Sequence, residues 1–386
     1  MLEPIKALIS KQETVELLSA IDPISLDISA VNWVDLNGLD TIYHKITELT
    51  VRDTVTSYNG LEKFLHLTRF TSETESKYTF PRMENLKHLH LAWHKSYLSS
   101  FNSSFDSLEK LFIRYFSEQD LKIVSNLKKL KSLDLVQGKL ASVDYLSSCS
   151  HIESLSLSYI TPLKHLNELS QCTNLKNIEL QNLPKIEEIN LSGCKQLEKL
   201  TLENLKTLSD IQITSLSNLK YLKVFNINSL TNIDFIYQNR QLESLFIGEC
   251  KKITHLENIT QFTELKDYYV YIPINNNDLM ALLNNKKLET LGLDKKNAIN
   301  DFKWLTKEHL LKRIFVYFTG DEIDWHSIFS LPNITFIHIE CTKKLKLEKS
   351  YEDISIIASS YGKKIYQASN FNTRYPFYRL DISHIS

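Results

Sequence analysis

One pattern returns along this chain every 22 or 23 residues: an apolar residue, two variable positions, a second apolar residue, one variable position and a third apolar residue. It reads NLKHLHL, SLEKLFI, KLKSLDL, HIESLSL, NLKNIEL, QLEKLTL, NLKYLKV, QLESLFI, ELKDYYV, KLETLGL, LLKRIFV and NITFIHI. The leading apolar residues are Leu86, Leu108, Leu130, Ile152, Leu175, Leu197, Leu219, Leu242, Leu265, Leu288, Leu311 and Ile334. A fixed period of this length leaves room for one strand and one return segment per repeat. The period of two inside each motif makes the strand half-buried, with pairs such as Leu89 and Leu91, or Leu200 and Leu202, pointing inward. A single such strand cannot bury its apolar side. Stacking repeats about 4.8 Å apart pairs every backbone in a parallel sheet and joins the Leu and Ile columns into one core. Return segments carry ladders of their own, such as Leu140, Val143 and Leu146. So short a return predicts a 3-10 turn, a short helix or an extended piece on the far side.

The length of 386 residues would otherwise suggest two or three domains, but the repeats run through it without a linker-like segment. Lys plus Arg total 45 against 46 Asp plus Glu, so the net charge of -1 gives no general reason to expect nucleic acid or a membrane partner. The opening MLEPIKALISKQETVELLSAID carries charge among its apolar residues and predicts a capping helix rather than a signal segment. With five cysteines, an odd number, and three of them at one repeat position, the expected compartment is the reducing cytoplasm.

Segments such as IGECKKITHLENITQFTELKDYYV and LENLKTLSDIQITSLSNLKYLKV resemble the short leucine-rich repeats of the internalin type. The resemblance covers roughly residues 46–345. It implies an α/β solenoid: a curved horseshoe with a parallel β-sheet on the concave face and short 3-10, helical or extended segments on the convex side. About 14 repeats are expected there, between a helical N-terminal capping region over 1–45 and a C-terminal cap over 346–386. The chain departs from that type where an inward Asn is usual: Ile160, Leu183, Leu205, Ile227 and Cys250 stand in its place. Toward the N-terminus Ile46, Leu49 and Val51 fit the pattern, Ile21, Ile24 and Leu26 fit loosely, and the stretch from Leu61 to Leu67 fits only out of phase. TSETESKYTF reads as an exposed loop, and the aromatic tail with Tyr366, Phe371, Tyr375, Phe377 and Tyr378 as a fold over the last strand.

The outward strand positions carry the functional expectation, because partners of the family it resembles usually dock on the concave face. They include His88, His90, Trp93, Phe112, Arg114, Tyr115, Tyr159, Tyr221, Phe225, Phe246, Tyr269, Tyr271, Arg313, Phe315, Tyr317, Phe318, Phe336 and His338. Aromatics and Arg dominate binding hot spots. The same rings can also serve the fold alone by stacking across neighbouring strands. Between the aromatic ends, Asp134, Asn177, Glu179, Gln181, Asn182, Glu203, Asn204 and Glu249 form a polar, mildly acidic belt that suits a partner with a basic, protruding feature.

Reactive chemistry finds little foothold. Cys149, Cys172 and Cys194 lie one per repeat along a line and read as buried thiols, since a metal needs convergent ligands. His66, His88 and His90 could cluster on one face and ligate zinc, and Glu179 with Glu203 could form a hydrolytic carboxylate pair. No phosphate loop, nucleophile elbow or HExxH motif appears. The expectation is a non-enzymatic module that needs no cofactor and binds a protein, not nucleic acid or membrane. Its richness in Ile, Asn and Lys suggests a bacterial source, where a toxin-neutralising immunity protein is the favoured role. A secreted or host-translocated effector, or an adaptor, is the alternative, and a carboxylate-dependent hydrolase the outside one.

Overall fold

The computed structural model describes residues 2–8, 10–52, 55–213, 217–341, 350–369 and 377–384. The chain divides into two compact units, one of residues 1–197 with 204–214 and the other of 198–203 with 215–386.

In the first unit β1 (Ile5–Lys6), β2 (Ile24–Asp27), β3 (Ile46–Val51), β4 (Arg69–Ser72), β5 (His88–Ala92), β6 (Lys110–Phe116), β7 (Ser132–Gly138), β8 (Ser154–Ser158) and β9 (Asn177–Gln181) pair in parallel, each with the next. The register aligns equivalent motif positions, so Leu89, Leu111, Leu133, Leu155 and Ile178 form one buried column and Leu91, Ile113, Leu135, Leu157 and Leu180 the next. A second short parallel pair, β10 (Glu188–Asn190) with β12 (Asp210–Gln212), lies on the return side.

Helix α1 (Lys11–Leu18) starts at Ser10, whose hydroxyl accepts from the Glu13 N–H while the Glu13 carboxylate reaches back to Ser10, a reciprocal cap. The region before residue 46 is only partly helical, because β1 and β2 already extend the ladder. The segment read as an exposed loop is held down at its end. Phe80 is buried, its N–H donates to Ser100 Oγ at 2.8 Å, and its ring meets Phe70, Tyr97 and Phe105.

In the second unit β11 (Lys199–Glu203), β13 (Tyr221–Phe225), β14 (Ser244–Gly248), β15 (Asp267–Val270), β16 (Thr290–Leu293), β17 (Arg313–Phe318) and β18 (Phe336–Cys341) pair in parallel in that order. Short helices α2 (Asn276–Leu283) and α3 (Trp325–Phe329) replace the 3-10 turns in two of the returns. After α4 (Tyr351–Ser360) the chain makes β19 (Lys363–Ser369) and β20 (Phe377–His384), antiparallel to each other, and β20 runs antiparallel along β18. Tyr378 is buried against Trp325, whereas Tyr366 stays 63% exposed; Phe371 and Tyr375 lie outside the described residues.

The corner out of each strand has a common backbone device. Tyr115, Gln137, Tyr159, Asn182, Asn204, Asn226 and Glu249, spaced 22 or 23 apart, all have φ between 53° and 61°. The left-handed conformation reverses the inward and outward alternation. Ile160, Leu183, Leu205, Ile227 and Cys250, immediately after it, are therefore delivered into the core where the resemblance leads one to expect Asn. Asn tolerates this backbone better than Tyr does. Tyr159→Gly is expected to stabilise the protein by about 0.5–1 kcal/mol, and Tyr159→Val to destabilise it by about 1–2 kcal/mol, in urea unfolding. Equal stabilities for the two variants would show that this corner does not hold the left-handed residue.

Candidate binding surface

The outward positions of the second unit fall into columns set by the register. One runs Thr201, Lys223, Phe246, Tyr269, Gly292, Phe315 and His338, and ends on Arg379 of β20. Rings follow one another along and beside it: Phe225 to Phe246 at 5.9 Å between centroids, Phe246 to Tyr269 at 5.6 Å, Tyr269 to Phe315 at 5.3 Å and Phe315 to Phe336 at 4.9 Å. Tyr269 can touch Phe315 two strands away because Gly292 between them has no side chain; a Cβ there would lie 2.3 Å from the Tyr269 ring. Gly248 leaves a similar dip, where a Cβ would lie 3.0 Å from the rings of Phe225 and Tyr271. Every one of these rings remains half-buried on the sheet's outward face. The desolvation is deep enough to push the Tyr269 phenol up to about 12.

Cations border the rings. Lys223 lies 5.5 Å from the Phe246 centroid and Arg379 5.3 Å from that of Phe336. Tyr221 is half-buried, and Lys199 lies 5.1 Å from its ring centroid. At the rim Arg313 donates to Thr290 Oγ1, Tyr317 sits beneath Lys295, and His338 lies 5.3 Å from Phe377. In the first unit the corresponding column holds Thr71, His90, Phe112, Asp134, Ser156 and Glu179. His90 stacks on Phe112 at 4.0 Å, and the Arg114 guanidinium covers Phe112 at 5.9 Å.

Two residues expected on this face are elsewhere. Trp93 is 2% exposed and packs on Tyr97, Phe101 and Phe116, and Phe318 is fully buried against Phe302. Alternation explains both, since Trp93 shares parity with Leu89 and Leu91, and Phe318 with Ile314 and Val316. Tyr115 and Tyr159 are exposed at 49% and 55%, but through the left-handed corner, which sets them at the rim.

The reactive alternatives lose their geometry. His66 is exposed in the turn before β4, and the neighbours of His88 and His90 on that strand are Arg69 and Thr71. Among the described residues no group of three or more His, Cys, Asp or Glu could hold a metal. Glu179 accepts from Gln181 at 2.5 Å, and Glu203 is paired with Lys223 at 2.6 Å, so each carboxylate is engaged within its own unit. The acidic belt is correspondingly less available to a basic partner than its residue count implies. Cys149, Cys172 and Cys194 donate to backbone carbonyls, and burial raises the first thiol to about 11 and the other two to about 12, which keeps them inert.

No family model matches the chain. Over 173 residues, 42% of this chain, it is 28% identical to a protein of Arabidopsis thaliana described as an F-box/LRR-repeat protein, and the match spans 37% of that relative's length. Among solved structures, an LRR protein of Leptospira interrogans superposes with a TM-score of 0.60 over 89% of this chain and 90% of its own, at 18% identity. The fold is a leucine-rich-repeat solenoid. An internalin (inlF) of Listeria monocytogenes matches with a TM-score of 0.56 at 17% identity, covering 78% of this chain and 88% of that one. The functional domain of InlJ from the same organism, which includes a cysteine ladder, matches at 0.55 and 19% identity, covering 83% and 72%. Here the cysteines that recur at one repeat position are free thiols. Among the described residues no helix is long and apolar enough to cross a membrane.

Sequence reading missed Lys223, Gly248, Gly292 and Arg379 as parts of the face. The signal was present in the strand register, which places Gly292 in line with Tyr269 and Phe315.

Proposed function

We propose that this protein is a non-enzymatic interaction module that holds a protein partner against the outward face of its sheet, with the aromatic path from Phe225 to Phe336 as the main anchor. The observation that carries this reading is the continuity of half-buried rings through β13–β18, on the side of the sheet a fold could cover with polar residues. Cross-strand stacking stabilises the sheet pairwise, by about 0.2–1 kcal/mol for each pair. It does not require glycines that open gaps for rings to bridge, nor cations laid over their exposed faces. Partly desolvated aromatic groups beside Lys and Arg are the composition of binding hot spots. The solved internalins share the fold, and that supports a binding role in general.

Within this class we favour a toxin-neutralising immunity protein of the bacterial cytoplasm, on the Ile-, Asn- and Lys-rich composition. An exported effector or an adaptor is the other reading. Affinity capture with the full chain, followed by mass spectrometry, tests both levels. Wild type is expected to retain one protein partner at near-stoichiometric yield, and a variant with Phe246→Ala, Tyr269→Ala and Phe315→Ala to lose it. Capture of a toxin supports the immunity role and capture of a host protein the effector. Undiminished capture by the folded triple variant would remove the aromatic path from the account.

A further inference from the structure

On the first unit, two outward columns converge on a pocket of about 230 Å³. Arg69, His88 and Lys110 succeed one another across β4, β5 and β6, and His90, Phe112 and Asp134 do so across β5, β6 and β7. All six line the pocket, over a floor that includes Phe70, Leu89 and Leu111. Three of the lining residues carry a polar atom that is buried without a hydrogen-bond partner among the described residues: Arg69 Nε, His90 Nε2 and Asp134 Oδ1. The nearest carboxylate oxygen to Arg69 Nε, on Glu48, is 3.6 Å away. Phe112 packs on the His90 ring and fixes its plane. Buried polar atoms are rarely left unpaired, and a ligand group of matching polarity removes the cost.

We propose that this pocket is a subsite for a single carboxylate, the side chain of an aspartate or glutamate on the partner polypeptide, seated over His88 between Arg69 and Lys110 and bonded to His90. The assignment rests on the reading of the outward face as a docking surface and names the chemistry of one part of it. Charge selects the occupant. Arg69 and Lys110 flank the seat, and Glu48 behind Arg69 with Asp134 at the far end offsets their charge, so the proton that an imidazole takes up matches one carboxylate, whereas a phosphate dianion leaves a charge unmatched. Asp134 Oδ1 is then free to accept a backbone N–H of the same segment.

The two imidazoles make the seat pH-sensitive. Burial holds His88 below its ordinary value of 6.5, assisted by Arg69 and Lys110 and opposed by Glu109 and Glu48. Burial does the same to His90, with Arg114 and Arg52 lowering it and Glu73 raising it. An arriving carboxylate favours the charged imidazole, so binding takes up protons. Affinity is greatest below the free-state value and is lost as pH rises through the bound-state value.

The probe is a peptide that carries fluorescein on its N-terminal amine, fluorescein-Gly-Glu-Gly-Glu-Gly-amide, with lysine and phosphoserine counterparts, titrated by fluorescence polarisation against the full chain. The glutamate peptide is expected to bind about tenfold more tightly at about pH 6 than at about pH 8. Arg69→Gln and Lys110→Gln should each weaken it about five- to tenfold at the lower pH, and His88→Gln with His90→Gln should flatten the profile. Lys110 is exposed, so its variant reads the site even if Arg69→Gln unfolds the chain. The triple aromatic variant should bind the peptide as wild type does. Wild type that captures its partner but does not bind the peptide therefore fails this subsite alone, and a folded triple variant that binds the peptide and still captures the partner undiminished fails the aromatic anchor alone. Absent binding, equal binding of the lysine peptide, tighter binding of the phosphoserine peptide, or affinity unchanged in both charge variants would overturn the proposal.

Discussion

Phe80→Ala is expected to destabilise the protein by about 3–5 kcal/mol, the range for removing a fully packed Phe from a core. Phe80 is 3% exposed and its ring lies between 5.1 and 6.3 Å, centroid to centroid, from Tyr58, Phe70, Tyr78, Tyr97 and Phe105. Collapse into the space is resisted because two of those rings are held by hydrogen bonds: Tyr58 OH to the Thr74 carbonyl and to Ser72 Oγ, and Tyr97 OH from the Ser76 N–H. The whole connection from residue 76 to residue 80 is pinned to the following return through Ser96 and Ser100. Urea unfolding read by far-ultraviolet circular dichroism checks this. A loss below about 1 kcal/mol would mean that Phe80 sits in a surface loop, as the polar sequence around it suggests.

The second large effect belongs to Gly292→Val. Strand β16 is buried along its length, and a Cβ on Gly292 would fall 2.3 Å from Tyr269 Cδ1 and 2.9 Å from Cε1. The ring cannot yield toward the sheet. It must swing outward, breaking its 5.3 Å contact with Phe315 and its 5.6 Å contact with Phe246. Overpacking of this kind costs about 1–3 kcal/mol. The aromatic path is cut at its middle, so partner affinity should fall at least about tenfold, beyond what the stability loss accounts for. Calorimetric melting and binding titration of the same preparation separate the two. Unchanged melting and unchanged affinity together would show that the Tyr269 ring does not rest on Gly292.

Most of the ladder was legible because a period of 22 or 23 with three apolar positions admits few other solutions. It failed between Val51 and Leu86 for a definable reason. The equivalent triplet there is Leu67, Phe70 and Ser72, with a buried serine in the third apolar position, satisfied by the Tyr58 hydroxyl. Polar substitution inside the motif hid the strand, and with it the role of Phe80. The outward face was legible wherever alternation held, as for Phe246, Tyr269 and Phe315, and misread where parity was not followed, as for Trp93 and Phe318. The left-handed corners were hidden at Tyr115, Gln137, Tyr159 and Glu249, which are not residues that announce a positive φ, whereas Asn182, Asn204 and Asn226 at the equivalent positions are of a type that does. Nor does sequence show that Glu203 is neutralised by Lys223, a contact made between strands.

That the row of rings on β14, β15 and β17 grips another polypeptide is tested most directly by titrating the captured partner calorimetrically against wild type, the Phe246, Tyr269 and Phe315 triple-alanine variant, and Val34→Ala, at an exposed position away from those strands, as a control. The expected result is a dissociation constant raised at least about a hundredfold for the triple variant, or about 2.7 kcal/mol, and one within about twofold of wild type for the control. Equal affinity for the folded triple variant and wild type would contradict it.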